Sequence, residues 1–330
     1  MTVRDGRSPA LVVRAPGEVV LEDRDVPVPG PGEVLIRPDT VGLCGTDLDI
    51  VAGQVDPAYT RYPVVLGHEW SGTLAGTRVV AEGIVPCGHC DRCREGQTNL
   101  CATYDELGFT RDGAACGHVS VPASLVHTIA PGVSAEDAAL VEPASVVYRA
   151  LAGSRVAPGC RALVVGDGTV ALLAARLLGL WSSGEVVVLG RREGQAALAS
   201  AAGAARFETS PVAAGDGYDL VVEAAGTTDA VLAALRSARR GGSVLLLGLP
   251  PHGQTAAVPV DDLVNNDLTV RGSFSYTSSA WRDVVALLNA GRLELAFLVT
   301  HRFALKDWAQ ALDALRGLDS PRGKVLLTIG

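Results

Sequence analysis

Residues 160–181, CRALVVGDGTVALLAARLLGLW, read as a buried apolar strand, a glycine turn and a helix of Ala and Leu. Strand-like and helical stretches then alternate: GEVVVLG, QAALASAAGA, YDLVVEAAG, TDAVLAALRSARRGG and SVLLLGLP. Apolar strands of four to seven residues separated by helices imply a parallel sheet covered on both faces. The first ~145 residues have another texture, rich in Gly, Pro and short apolar alternations such as EVLIRPDTVGLC and GTRVVAEGIV, with turns at PGPGE and AGT. That is the texture of an irregular β domain. From about residue 281, WRDVVALLNAG and KDWAQALDALRG read as amphipathic helices and KVLLTIG as a strand. The expected fold is α/β, with a β-rich part over 1–145, a dinucleotide-binding part over 146–280, and a return to the first part over 281–330.

The glycine turn supplies the first chemical signal. Gly166, Gly168 and Ala171 form a G-x-G-x-x-A pattern between strand and helix, with Thr169 and Val170 opening the helix. Gly166 permits the tight turn, Gly168 lets backbone approach a pyrophosphate, and the helix N-terminus favours the phosphate charge. An NAD-preferring site wants an acidic residue at the end of the second strand. Here that place reads Gly190, Arg191, Arg192, two guanidiniums where a 2′-phosphate would bind. NADP(H) is therefore favoured, with NAD(H) the alternative and Glu193 a partial offset to the arginines.

Cysteine supplies the second. Cys87, Cys90, Cys93 and Cys101 have the spacing C-x2-C-x2-C-x7-C. Upstream lie Cys44, Thr46 and Asp47 in GLCGTDLD and His68 with Glu69 in GHEWSG; Glu142 lies in VEPAS. Hydrophobic content of 48%, charged content of 19% and a net charge of −8 describe a globular chain without the basic footprint of a nucleic-acid binder. No apolar run approaches the ~20 residues of a membrane helix, and the N-terminus lacks a charged-then-apolar export pattern. A cytoplasmic setting is expected, where a tight cysteine cluster binds metal rather than forming disulfides. Cys116 and Cys160 read as packing residues.

GLCGTD, GHEWSG, the cysteine quartet, VEPAS and the glycine turn occur in this order, and together they resemble the zinc-dependent medium-chain alcohol/polyol dehydrogenases. The resemblance covers nearly the whole chain from about residue 10. It implies a GroES-like catalytic domain interrupted by a Rossmann domain, with the active site in the cleft between them. It implies one structural zinc in the cysteine quartet and one catalytic zinc held by Cys44 and His68, with Glu69 and Glu142 as direct or nearby carboxylates. Asp47 would accept a hydrogen bond from His68, and Thr46 would take the alcohol proton during hydride exchange with the nicotinamide. Further cofactor contacts would come from strand ends: Glu223 to Gly226 with Ala225, Leu247 with Gly248, and Ser273 with Phe274.

Two departures stand out. Many relatives carry a histidine where this chain has Asp49, so the proton relay would run through Asp49, through water or by another route. The loop between GHEWSGTLA and GTRVVAEG is also shortened. The turn GDGTVALLA and the GHEWSG and VEPAS segments resemble the polyol, threonine and aminocyclitol (deoxy-inosamine) branches. The expected substrate is a polar secondary alcohol or its ketone, and the expected assembly a homodimer or homotetramer. Rival readings are a zinc-free reductase of activated alkenes or quinones and a non-enzymatic protein using its zinc lobe for binding.

Overall fold

The computed structural model describes residues 6–154, 157–181, 183–251, 253–317 and 321–330. The chain divides into two compact units: Met1–Glu142, Thr277–Leu318 and Lys324–Gly330 form one, Pro143–Tyr276 and Asp319–Gly323 the other.

The first unit is built on a long strand, Glu33–Leu43. One side of it pairs with Glu69–Leu74, which leads on to Thr77–Ala81 and Val126–Thr128. Its other side pairs with the chain's last strand, Lys324–Thr328, which pairs in turn with Val299–Ala304. A smaller sheet of Glu18–Asp25, Arg7–Ala15 and Val64–Val65 lies in the same unit. Ile36, Val41, Leu43, Trp70, Val325 and Leu327 enter a common core with Leu11 and Leu66, an irregularity between Pro38 and Thr40 switching the inward parity along the long strand. The returning helix Ser278–Asn289 is pinned to this unit at both ends. The Ser278 hydroxyl donates to Glu82 at 2.6 Å, and the Asn289 amide donates to the Thr128 carbonyl at 3.0 Å.

The second unit is a six-stranded parallel sheet. Its order is Arg206–Glu208, Val186–Leu189, Ala162–Val165, Tyr218–Glu223, Ala238–Leu246, Thr269–Gly272, the doubly wound arrangement of a Rossmann fold. Ala162–Val165 and Val186–Leu189 are buried at every position, which explains their unbroken apolar sequence. One helix is shorter than its sequence suggests. TDAVLAALRSARRGG was expected to be helical throughout, yet the helix stops at Ser237 and Ala238 opens a strand. Ala238 pairs with Tyr218 and the ladder resumes at Ser243 opposite Leu220, while Gly241 and Gly242, in the irregularity between them, disfavour a helix. No helix among the described residues is long and apolar enough to cross a membrane.

The start of the long strand is held by Glu33. Its carboxylate accepts from Arg111 at 2.7 Å, from the Ser120 hydroxyl at 2.8 Å and from the Gly30 amide at 3.2 Å. These bonds lower its pKa from 4.5 to about 2. A depressed acid stabilises the fold above its unfolded pKa and loses that contribution as pH falls through the folded one. Glu33→Gln is therefore expected to lower Tm at pH 7 by several degrees. The gap should close between pH 4.5 and about 2, as read by thermal melts across that range; a gap independent of pH would contradict this role.

Candidate active site

Cys44 caps the helix Gly45–Ala52 in an extended conformation, and the Asp47 carboxylate accepts the Cys44 backbone N–H at 2.8 Å. This reciprocal cap fixes the cysteine where the long strand ends. The Cys44 Sγ lies 3.6 Å from the Thr46 hydroxyl. Glu69 begins the neighbouring strand directly opposite Gly42, so His68 and Glu69 arrive beside Cys44 through sheet register. The donor atoms of Cys44, His68 and Glu69 all lie within 4.8 Å of one another.

Asp47 is wholly buried, whereas Asp49, two positions along the same helix, is exposed. Asp47 Oδ1 approaches His68 Nδ1 to 3.6 Å, an ion-pair separation rather than a hydrogen bond. Neither atom has a hydrogen-bonding partner among the described residues. Burial opposes charge on His68, but Asp47 and the nearby Cys44 outweigh it and raise its pKa well above the usual value. The ring also packs on Phe109, with centroids 5.2 Å apart.

Two groups at this site gave no signal in the sequence. Lys324, at the start of the last strand, is 2% exposed; its ammonium pairs with Glu69, itself 1% exposed, and donates to the Leu43 carbonyl at 3.1 Å. Glu106, in a two-residue strand, is raised to about 7 by burial, with His68 pulling the other way. Glu142 is buried in the first turn of the helix Val141–Ala152. Burial and then the charge of Glu69 raise it to about 8. It falls outside the set of donors that gathers within 4.8 Å.

The cysteine quartet closes on itself. Sulfur separations are 3.5 Å for Cys90 and Cys93, 3.9 Å for Cys87 and Cys93, and 3.9 Å for Cys90 and Cys101. A tetrahedron of ~2.3 Å zinc–sulfur bonds has edges of ~3.8 Å, so these residues fit such an ion. The backbone amides of Cys87 and Cys90 point at sulfurs, at 3.3 and 3.4 Å. Backbone hydrogen bonds, led by those from His89 and Cys90, lower the Cys87 thiol to about 6.

In the second unit the sequence-predicted cofactor residues share one rim. Val165 is in register with Leu189 and Glu223, Glu223 with Leu246, and Leu246 with Gly272. Gly166, Gly190, Ala225, Leu247 with Gly248, and Ser273 with Phe274 follow these strand ends. Gly166 has φ 129°, and a Cβ there would meet the Ala224 backbone at 3.0 Å. Around Gly168, which caps the helix Thr169–Leu178, a Cβ would meet nothing within 4 Å. A tight turn opening onto clear space at a helix N-terminus suits a pyrophosphate. The Glu223 carboxylate accepts the Ala225 and Gly226 amides at 2.8 Å each, and Arg149 donates to the Ser273 hydroxyl at 3.0 Å.

The arginines differ from one another. Arg191 is exposed, while Arg192 donates to Asp167 of the glycine turn, with a closest approach of 2.7 Å. Asp167 also accepts the Arg191 backbone amide at 2.9 Å, so it is the carboxylate that this pair engages.

Residues 30–131 match the family Alcohol dehydrogenase GroES-like domain, and residues 166–290 match Zinc-binding dehydrogenase. Sorbitol dehydrogenase of Gallus gallus is 31% identical over 94% of this chain and 94% of its own. The chain belongs to the zinc-binding alcohol dehydrogenases. A zinc-binding dehydrogenase structure from Sinorhizobium meliloti 1021, bound to NADP, superimposes with TM-score 0.90 at 25% identity, covering 98% of this chain and 99% of that one. An Escherichia coli CFT073 protein described as a short chain alcohol dehydrogenase, complexed with NADH, gives TM-score 0.90 at 25% identity, with 98% and 100% covered. This dehydrogenase is an oxidoreductase of the GroES-like plus Rossmann type.

Breaking the Glu69–Lys324 pair leaves a buried carboxylate without its counter-charge. Lys324→Met should cost about 3–5 kcal/mol of stability, read from the urea midpoint; a loss below ~1 kcal/mol would show that Glu69 does not depend on Lys324.

Proposed function

We propose that this dehydrogenase interconverts a secondary hydroxyl on a polyol, cyclitol or aminocyclitol and the corresponding ketone, with NADP(H) as the preferred hydride carrier and NAD(H) as the alternative. The observation that carries the reading is the convergence of Cys44, His68 and Glu69 donors within 4.8 Å, beside a buried aspartate. Thiolate, imidazole and carboxylate form an open three-ligand set that suits a catalytic zinc, whereas the four cysteine sulfurs suit a closed structural one. Bound there, zinc would serve as a Lewis acid for an alcohol or carbonyl oxygen, and a bound nicotinamide would supply the hydride chemistry.

The chain's own residues do the rest. Cys44, His68 and Glu69 bind the ion. Asp47 faces the Nδ1 side of His68 and so orients the ring, leaving Nε2 for the metal. Thr46, 3.6 Å from the Cys44 sulfur, is placed to hold the substrate's hydroxyl proton. Asp49 lies one helical turn beyond Thr46 on the exposed side, where it can pass that proton to solvent. Glu142 stands by as a buried carboxylate near the ligands. On the Rossmann unit, Gly166, Gly168, Thr169 and Val170 cradle the pyrophosphate, and Arg191 and Arg192 receive the 2′-phosphate. The polyol assignment draws support from the sorbitol dehydrogenase relative.

The seven cysteines are all unbridged, as befits a reducing, cytoplasmic setting. A homo-oligomer suits the edge of the parallel sheet, where Val260, Val264, Val270 and Phe274 are exposed.

Metal analysis tests the two sites together. The purified protein should hold about two zinc per chain, and Cys44→Ala about one, with the fold intact and turnover lost. Persistent turnover in Cys44→Ala would reject the catalytic assignment. Cys90→Ser should instead lower Tm and soluble yield, because binding at a structural site contributes to folding. A panel of polyols, cyclitols and simple secondary alcohols, each with both cofactors, identifies the substrate class. Turnover of activated alkenes or quinones alone would favour the zinc-free reductase reading.

A further inference from the structure

The end of the glycine turn contains an arrangement that the sequence order conceals. Asp167 Oδ2 accepts the backbone amides of Arg191 at 2.9 Å and Arg192 at 3.0 Å, and the Arg192 Nε at 3.3 Å. Its Oδ1 accepts the Arg192 Nη2 at 2.7 Å. Each carboxylate oxygen offers about two acceptor sites, so Oδ2 is filled and Oδ1, already engaged by Arg192, keeps one; most of the capacity of Asp167 is spent within the protein rather than left for a ribose diol. It acts instead as a clamp on Arg192. Gly190 makes the clamp possible, since a Cβ there would meet the Asp167 Cβ and the Phe207 ring at 2.7 Å each.

Arg192 is held but not exhausted. Its side chain is 14% exposed, and Nη1 is buried with no hydrogen-bonding partner among the described residues. A buried guanidinium nitrogen without an acceptor is costly unless something supplies one.

A second guanidinium comes from the far end of the unit's sequence. Gln195, fully buried, donates its side-chain amide to the Asp167 carbonyl at 2.6 Å and to the Arg322 carbonyl at 2.8 Å. Its amide oxygen accepts the Arg322 backbone N–H at 2.7 Å. One glutamine thus bolts the Arg322 backbone to the glycine turn. The half-buried Arg322 side chain is close enough to feel both neighbours. Burial lowers its pKa, Arg192 lowers it further, and Asp167 works in the opposite sense. Two guanidiniums around one carboxylate leave a net positive charge, with exposed Arg191 adding to it. That surplus is what a phosphate monoester requires and a ribose diol does not.

Resting on the NADP(H) preference proposed above, we infer that Arg192 and Arg322 together grip the 2′-phosphate, with Gln195 the positioning residue that sets Arg322 beside it. Arg322 lies 130 residues downstream of Arg192 in sequence (322 − 192), so no local motif connects the two.

Equilibrium binding of 2′,5′-ADP and 5′-AMP, followed by calorimetry on the purified full-length protein, tests this without turnover. The two probes differ only in the 2′-phosphate. Wild type should bind 2′,5′-ADP more tightly than 5′-AMP. Arg322→Ala should weaken 2′,5′-ADP by about 10-fold or more, leaving 5′-AMP within about twofold. Arg322→Gln should do the same if the alanine variant proves unstable. Gln195→Ala should reduce the ratio of the two affinities, whereas a merely structural role would weaken both probes alike.

If wild type does not distinguish the probes, both the NADP(H) preference and this inference fall. If wild type distinguishes them but Arg322→Ala and Arg322→Gln distinguish them equally well, the preference stands and the assignment of Arg322 is wrong.

Discussion

The buried ion pair between Glu69 and Lys324 ties the chemistry of the first unit to the register of its sheet. Three adjacent strands contribute to it: Glu69 lies opposite Gly42, and Val325 opposite Leu43, which brings Lys324 alongside. Side chains alternate faces along a strand, so a slip of one residue in either pairing would send one charge to the opposite face. A carboxylate stranded in the interior is far costlier than the paired one. The correct register is therefore favoured by electrostatics as well as by the apolar core. Cys44 follows from it, being the first residue beyond Leu43, where the strand gives way to the helix that Cys44 caps. A sheet register carries a thiolate, an imidazole and a carboxylate to one place.

The second unit uses alignment in another way. Its parallel strands end in register, so every following loop begins on the same rim. Loops that begin together can share a ligand, which is why open parallel sheets bind at their carboxyl ends. Charge is then distributed by the loops. The strand end that usually carries an acid has a glycine, and the acid is displaced into the glycine turn as Asp167. There it faces Arg192 and backbone amides. The acid in the turn is thereby engaged by the residues of the next strand's loop.

How much of this could be read from the sequence depended on the range of the interaction. Local signals were strong: uninterrupted apolar strands, the G-x-G-x-x-A turn and the cysteine spacing each encode structure within about twenty residues. Cys44, His68 and Glu69 were legible through the order of their motifs, although their proximity arises only when the strands pair. Lys324 and Arg322 were not legible. Each acts on a partner more than a hundred positions away, and a lone lysine or arginine near a C-terminus carries no periodicity or spacing to single it out. Glu106 was hidden for a related reason, since it lies in a two-residue strand too short to show a pattern and its surroundings, His68 among them, are distant in sequence. The helix extended too far in TDAVLAALRSARRGG shows the limit of propensity. Its apolar period was sound, but pairing with a neighbouring strand decided where it stopped.

The acids around the open donor set bear on how such a pocket exists before it binds an ion. Among the described residues, Asp47, Glu69, Glu106, Glu142 and Cys44 share this region with two basic groups, Lys324 and His68. Lys324 answers Glu69, and His68 stands against Asp47. Burial in a medium of low dielectric disfavours the charged form of the other two carboxyls, raising Glu106 to about 7 and Glu142 to about 8. A divalent cation among these groups would stabilise their ionised forms. Binding it would therefore be coupled to proton release, and its affinity would rise with pH as Glu106 and Glu142 lose their protons.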